Sequence, residues 1–220
     1  MAIQDGVIQT RNYRKYIMHD NTIPNDQCRR CGAASETIAH LHNSCTILTQ
    51  NHYTTIHNNI GEIIYINIIK SLKINERTTY YYKYHPKPIL ETDNYTIYWD
   101  RSILVNNPPD ITIPNRPDMI IIDKAAHTAK IIDFAVPLDN NIVETINTKK
   151  SKYQPLSQYL KNSLTLQKIE ILPIVISSLG TIPLETTKSI EKLNVHSKIQ
   201  TEMQKAVLIK ATSIIRETIG

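Results

Sequence analysis

Apolar residues recur at helical spacing through residues 55–73, where Ile56, Ile60, Ile63, Ile64, Ile68 and Leu72 predict an amphipathic helix. A different pattern follows. Met119–Asp123 and 129–136 are nearly continuous apolar runs around the polar stretch 124–128, as expected of strands covered on both faces. Residues 169–177 form a third β-rich run, and Pro173 within it predicts an edge position or a bulge, because proline cannot donate to a ladder. Residues 96–105 read as a further strand. Residues 141–166 read as helical, with Pro155 kinking or ending the first helix. Residues 184–193 and 199–219 read as helices. Residues 1–27 read as a basic helical lead-in carrying Arg11, Arg14 and Lys15 and ending near Pro24. Residues 76–94 read as a Tyr- and Pro-containing linker, and Pro108, Pro109 and Pro114 mark a loop leading to Asp118. The expected organisation is a lead-in at 1–27, a cysteine-rich module at 28–50, a helix and linker at 51–94, and a mixed α/β (α+β) domain at 95–220. The chain shows no internal repeat and no low-complexity segment.

Composition narrows the class. With 220 residues, 41% hydrophobic and 20% charged, the chain can bury a core and resembles globular proteins more than disordered ones. No apolar run reaches the roughly 18 residues of a membrane span. The first five residues lack the basic-then-apolar order of a signal peptide, so export is not expected. The abundance of Ile, Asn, Tyr and Lys reads as nucleotide bias in the coding DNA. The net charge of +5 is unevenly placed. Residues 1–140 balance at 14 basic and 14 acidic side chains, whereas residues 141–220 hold 11 basic against 6 acidic. That excess is either a solvated set of helix faces or a surface for phosphates, and charge alone does not choose.

All three cysteines fall in one short stretch with a histidine: Cys28, Cys31, His40 and Cys45. Three thiols cannot all pair as disulfides within one chain, and a Cys3His set closes a tetrahedral structural zinc site. Such a site leaves no open position for zinc catalysis. His42 is an alternative ligand to His40.

Asp118 and Asp133 carry the second candidate chemistry. The midpoint between them falls between Ala125 and Ala126, inside the polar stretch. A hairpin centred there places the two aspartates opposite each other, with Cβ atoms about 5 Å apart. Two such carboxylates can share a hard cation, and magnesium favours oxygen ligands while keeping positions open for water and phosphate. Asp133 sits among Ile131, Ile132, Phe134 and Val136, where a lone carboxylate is costly unless paired or metal-bound. Arg116 is one possible partner. Lys149 and Lys152, three residues apart, project from one helix face and could offset charge on a phosphate or orient a water. The turn lacks the Asn-Gly signal of tight hairpins.

In order along the chain, several short motifs resemble the C-terminal region of non-LTR retrotransposon polyproteins of the restriction-enzyme-like endonuclease type. They are Gln9-Thr10-Arg11-Asn12-Tyr13-Arg14-Lys15, then Cys28, Cys31, Glu36-Thr37-Ile38, His40 and Cys45, then His57-Asn58 and Tyr98-Trp99-Asp100-Arg101. Asn115-Arg116-Pro117-Asp118, the run 132–137 (Ile-Asp-Phe-Ala-Val-Pro), Lys149 with Lys152-Tyr153, and Pro173-Ile174-Val175-Ile176-Ser177 with Gly180 complete the set. The resemblance implies a PD-(D/E)xK restriction-endonuclease-like core, a central sheet flanked by helices, behind an N-terminal Cys-Cys-His-Cys zinc knuckle. It implies magnesium-dependent cleavage of target DNA to prime reverse transcription, in the nucleus. Asp118 and Asp133 would be the catalytic, magnesium-binding carboxylates. The catalytic lysine, displaced to the following helix, would be Lys149, with Lys152 second and Tyr153 and Arg116 in support. Arg11, Arg14, Lys15, Arg29, Arg30 and Lys150 are candidates for contacting nucleic acid. Implied partners are target DNA, the element's RNA and a reverse transcriptase domain of the parent polyprotein. Pro155 departs from the family's unbroken helix, and Pro108-Pro109-Asp110 departs from its usual spacer. The chain has no Tyr/Phe-x-Asp-Asp polymerase motif, so the expected piece is separated from its polymerase. The alternative expectation is a non-catalytic, zinc-dependent nucleic-acid-binding fragment.

Overall fold

The computed structural model describes residues 2–104 and 114–219, apart from the side chains of Gln50 and Asn51. Val105, Pro108 and Pro109 lie outside the described residues. In chain order the elements are α1 (Arg11–Tyr16), α2 (Ile38–Asn43), α3 (Thr46–Ser71), β1 (Ile89–Glu91), β2 (Tyr95–Trp99), β3 (Met119–Asp123), β4 (Thr128–Ala135), α4 (Ile142–Lys152), α5 (Gln154–Ser163), β5 (Lys168–Val175), α6 (Leu184–Lys192) and α7 (Lys198–Ile219). Among the described residues the strands form one five-stranded sheet in the order β1-β2-β3-β4-β5. The first four run as an antiparallel meander, and β5 lies parallel to β4 after the α4–α5 crossover. This is the mixed α/β class expected from the hydrophobic pattern.

The β3–β4 hairpin is centred as expected, with Met119 opposite Ile132 and Asp123 opposite Thr128. It turns without glycine. Asp123 Oδ1 accepts the N–H of Ala126 at 2.8 Å, and His127 takes a left-handed conformation at φ 51°. Pro173 sits on β5 at the edge of the sheet, where its missing N–H costs nothing. Pro155 lies in the first turn of α5, a position that suits its fixed φ, so it starts a second helix after α4 has ended.

Four expectations change, three of them small. The lead-in contains only the six residues of α1, capped by Thr10 Oγ1, which accepts the N–H of Tyr13 at 3.2 Å. The segment 76–94 contributes β1, whose backbone pairs with β2 and closes that edge of the sheet. β2 stops at Trp99, because Asp100 turns the chain at φ 44°.

The largest change concerns α3. It begins immediately after Cys45 and runs 26 residues, crossing the boundary expected at residue 50. It is not amphipathic in its second half, where Ile60, Ile63, Ile64, Tyr65, Ile66, Ile68 and Ile69 are all buried. A helix that is apolar nearly all round must be covered nearly all round. One side packs on Ile97, Met119, Ile132 and Phe134 of the sheet, and another packs against α7 through the same core, which includes Met203, Val207 and Ile214. The opposite face of the sheet is covered by α4 and α5: Tyr153, Leu156 and Leu160 meet Ile120 and Ile131, while Ile142 and Ile146 meet Ala135 and Val175.

Gly61 sets how closely α3 approaches the sheet. A Cβ there would lie 2.5 Å from Trp99 Cη2 and 2.8 Å from Phe134 Cε2. Gly61→Ala is therefore expected to destabilise the fold by about 1–3 kcal/mol, the usual cost of overpacking, outweighing the better helix propensity of alanine. Urea unfolding of the two proteins measures this; equal midpoints would show that the helix has room to move.

Candidate active site and metal centre

Extending the hairpin register by one pair places Asp118 opposite Asp133, just beyond the start of β3. Alternation along β4 then decides where Asp133 points. Ile132 and Phe134 face α3, whereas Ile131 and Ala135 face α5 and α4. Asp133 shares the second face and is only 2% exposed. Lys149 from α4 forms an ion pair with Asp133 Oδ2 and also donates to the backbone oxygen of Phe134 at 3.2 Å. Tyr153 Oη lies 2.9 Å from Asp133 Oδ1 and 3.1 Å from the backbone oxygen of Arg116, so its proton bridges the carboxylate and the segment entering β3.

Asp118 is held differently. Its Oδ2 accepts the N–H of Phe134 at 2.6 Å, where the extended register offers only Pro117 opposite. The same oxygen lies 3.2 Å from Nε2 of His57 on α3. The His57 ring meets Phe134 edge-on at a 6.0 Å centroid distance and Tyr53 in a stacked arrangement at 6.2 Å. The site is thus assembled from β3, β4, α4 and α3.

The two carboxyls titrate in opposite directions. Burial and the charge of Asp118 raise Asp133 above the usual carboxylate range, although Lys149 and Tyr153 oppose this. Burial would also raise Asp118, but contacts with His57 and the Phe134 N–H prevail and lower it. Burial would lower His57, and the hydrogen bond to Asp118 reverses that, leaving the imidazole raised. Burial pushes the Tyr153 phenol up, so it remains a proton donor.

Of the residues expected in the site, Asp118, Asp133, Lys149 and Tyr153 come together. Lys152 does not reach the carboxylates: it is exposed, with Nζ 4.6 Å from the centre of the Tyr153 ring. The Arg116 guanidinium pairs with Asp100 at 2.7 Å instead of Asp133, because the chain entering β3 turns that side chain outward, and only its backbone carbonyl serves the site. The motif His57-Asn58 by itself gives His57 no role; the structure places its ring on Asp118. Tyr53 belongs to the site too; it lies one helical turn before His57, and that spacing is the only sign of it in the sequence.

The Cys-Cys-His-Cys group is assembled as expected. The ligand atoms of Cys28, Cys31, His40 and Cys45 all lie within 4.8 Å of one another. Cys28 Sγ and Cys45 Sγ are 3.9 Å apart, close to the edge of about 3.8 Å that a tetrahedron with 2.3 Å zinc–sulfur bonds requires. Cys31 Sγ lies 3.2 Å from His40 Nε2. Gly32, at φ 67°, reverses the chain after the first cysteine pair, and Thr37 Oγ1 caps α2 on the N–H of His40 at 3.0 Å. The Cys31 thiol is lowered to about 7, chiefly by the backbone N–H of Ala33, while burial raises Cys28. These four residues could bind zinc. His42 is buried and falls outside the group, since two residues along a helix turn it away from His40. Glu36, fully buried, ties the knuckle to the lead-in: it accepts the backbone N–H of Arg11 at 2.9 Å, the backbone N–H of Arg29 at 2.8 Å and the Arg29 guanidinium at 2.8 Å.

That arrangement bears on the basic residues expected at a nucleic-acid surface. Arg29 is engaged by Glu36, Arg14 pairs with Asp20 at 2.5 Å, Arg11 donates to Gln27 O at 3.1 Å, and Lys15 donates to Pro24 O at 3.1 Å. Arg30 and Lys150 are exposed. No helix among the described residues is long and apolar enough to cross a membrane. No family model matches the chain, and no curated protein matches it. What stands is a mixed α/β protein with a five-stranded sheet, a two-aspartate cluster and a Cys-Cys-His-Cys group.

Two measurements test these sites. Lys149→Met leaves Asp133 buried without its cation, which should cost about 3–5 kcal/mol at neutral pH. Because the folded-state pKa of Asp133 is already raised, that cost should shrink as the pH falls and the carboxyl takes up a proton. Unfolding midpoints of both proteins across pH check this, and a cost that stays constant into acid would contradict it. Metal analysis of the purified chain should find about one zinc per chain, and Cys45→Ser should lower both the zinc content and the melting temperature.

Proposed function

We propose that this chain is a Mg2+-dependent DNA endonuclease domain with a PD-(D/E)xK-type core, of the kind found in non-LTR retrotransposon polyproteins. The observation that carries the reading is the Lys149–Asp133 ion pair at one end of the β3–β4 hairpin, with Asp118 one register step beyond β3 and near enough for its charge to act on Asp133. A magnesium ion would suit these donors: they are hard oxygens, and Asp133 is a buried carboxyl raised by burial and by its neighbour's charge, a condition that a divalent cation would relieve. Asp118 and Asp133 would hold that ion, which would polarise the scissile phosphate and lower the pKa of a bound water. Lys149 sets its ammonium beside Asp133, where it can stabilise charge that develops on the phosphate. Tyr153 donates its proton to keep Asp133 in one orientation, and His57 does the same for Asp118 from the other layer. The Cys-Cys-His-Cys group would hold a structural zinc. In this reading the partners are nuclear target DNA, the element's RNA and the reverse transcriptase of the parent polyprotein.

A second reading has its own support. Lys149 already pairs with Asp133 and His57 with Asp118, so the cluster also suits a fragment that binds nucleic acid through its zinc module without cleaving it. Supercoiled plasmid separates the two. With Mg2+, the wild-type chain should yield nicked circles, and Asp118→Ala should lower the rate at least about a hundredfold, as should chelation of the metal. Equal nicking by Asp118→Ala would remove the activity from this site; binding without nicking would favour the second reading.

A further inference from the structure

The segment after α3 carries a run of aromatic and basic residues that the core does not use. Tyr80 is 70% exposed and Tyr82 57% exposed. Their rings nevertheless lie nearly parallel, with centroids 5.6 Å apart and an interplanar angle of 8°. Tyr81 meets Tyr82 edge-on at 5.4 Å, and a single 3-10 turn at Tyr81–Lys83 holds the group. Exposed rings fixed in parallel do little for folding, since they bury little surface. They leave an exposed pair of rings, stacked on each other, at the surface.

The surroundings favour an anionic strand. Lys83 Nζ lies 6.0 Å from the centre of the Tyr82 ring, and Lys73 and Arg77 are exposed on the same segment. The nearby Glu76 is occupied by Tyr84 Oη at 2.8 Å and Lys87 at 3.6 Å. Beside the rings, a groove of about 370 Å³ runs between α3 and α7, with Ile63 and Ile66 in its lining and two lysines, Lys70 and Lys205, against one carboxylate, Glu202, among its charged groups. An aromatic stack, an apolar floor and lysines at the rim are what unpaired bases on a phosphate backbone require. Paired bases in a duplex cannot offer their faces in this way.

We propose that Tyr80, Tyr82 and the adjoining α3–α7 groove form a binding platform for single-stranded DNA. The choice of DNA over RNA rests on the endonuclease reading, in which a nick frees a DNA strand; the stacking chemistry stands apart from it. The groove reaches Lys70, about 20 Å along α3 from His57 at the usual helical rise, so one helix links the two places.

The test measures fluorescence anisotropy of labelled oligothymidylate, oligouridylate and a blunt duplex with the full chain, without divalent metal so that cleavage plays no part. The wild-type chain should bind oligothymidylate more tightly than either of the others. The double substitution Tyr80→Ala with Tyr82→Ala should weaken it at least about tenfold at an unchanged melting temperature. Tyr80→Phe with Tyr82→Phe, which keeps the rings, should retain the affinity. Undiminished binding by the alanine variant overturns the platform, and tighter binding of oligouridylate or duplex overturns its assignment to single-stranded DNA. Intact oligothymidylate binding alongside absent plasmid nicking would support the platform while removing the endonuclease reading.

Discussion

The close approach of α3 to the sheet is the constraint on which the rest depends. Gly61 lets the helix backbone lie against Trp99 and Phe134 with no intervening side chain. Because the helix is rigid, this contact also fixes His57, one turn earlier, at hydrogen-bond distance from Asp118. The packing of an apolar helix and the geometry of a polar cluster are thus one arrangement. A shift of α3 by a fraction of its diameter would part His57 from Asp118 without altering any residue of the cluster.

Asp118 and Asp133 show how one hairpin prepares two unlike carboxyls. They come from opposed positions of the same strand pair. Asp133 projects into the layer of α4 and α5 and is buried, so its charged form depends on Lys149 and Tyr153. Asp118 lies at the end of the ladder, takes a backbone N–H and a histidine, and is lowered. Groups pushed apart in this way recur where chemistry is done.

The knuckle shows a comparable economy. A single buried carboxylate, Glu36, gathers backbone donors from the lead-in and from the loop between the first cysteines, and it neutralises Arg29. The side chains of Arg11, Arg14 and Lys15 are engaged as well, by Gln27 O, Asp20 and Pro24 O, so these basic groups serve to hold the lead-in and the knuckle together. The exposed aromatic and basic residues after α3 lie elsewhere, and they are the less engaged surface.

Much of this was legible in the chain itself. The hairpin register followed from the apolar runs and their polar centre, because strand pairing is local and the side-chain period of two leaves little freedom. The cysteine spacing specified the Cys-Cys-His-Cys group for the same reason of locality. The separation of α4 from α5 followed from Pro155, whose ring and missing N–H act on its immediate neighbours. The tertiary structure decided what locality cannot. It turned α3 from a surface helix into a covered one, since the pattern of isoleucines does not reveal that α7, more than a hundred residues later, packs on its outer side. It sent the Arg116 side chain to Asp100 and left Lys152 in solvent, because which basic group meets a buried carboxylate depends on the docking of a helix against a sheet. It brought His57 to Asp118 across sixty-one residues by way of a missing side chain at Gly61. No spacing along the chain encodes that distance; it arises only when the layers close.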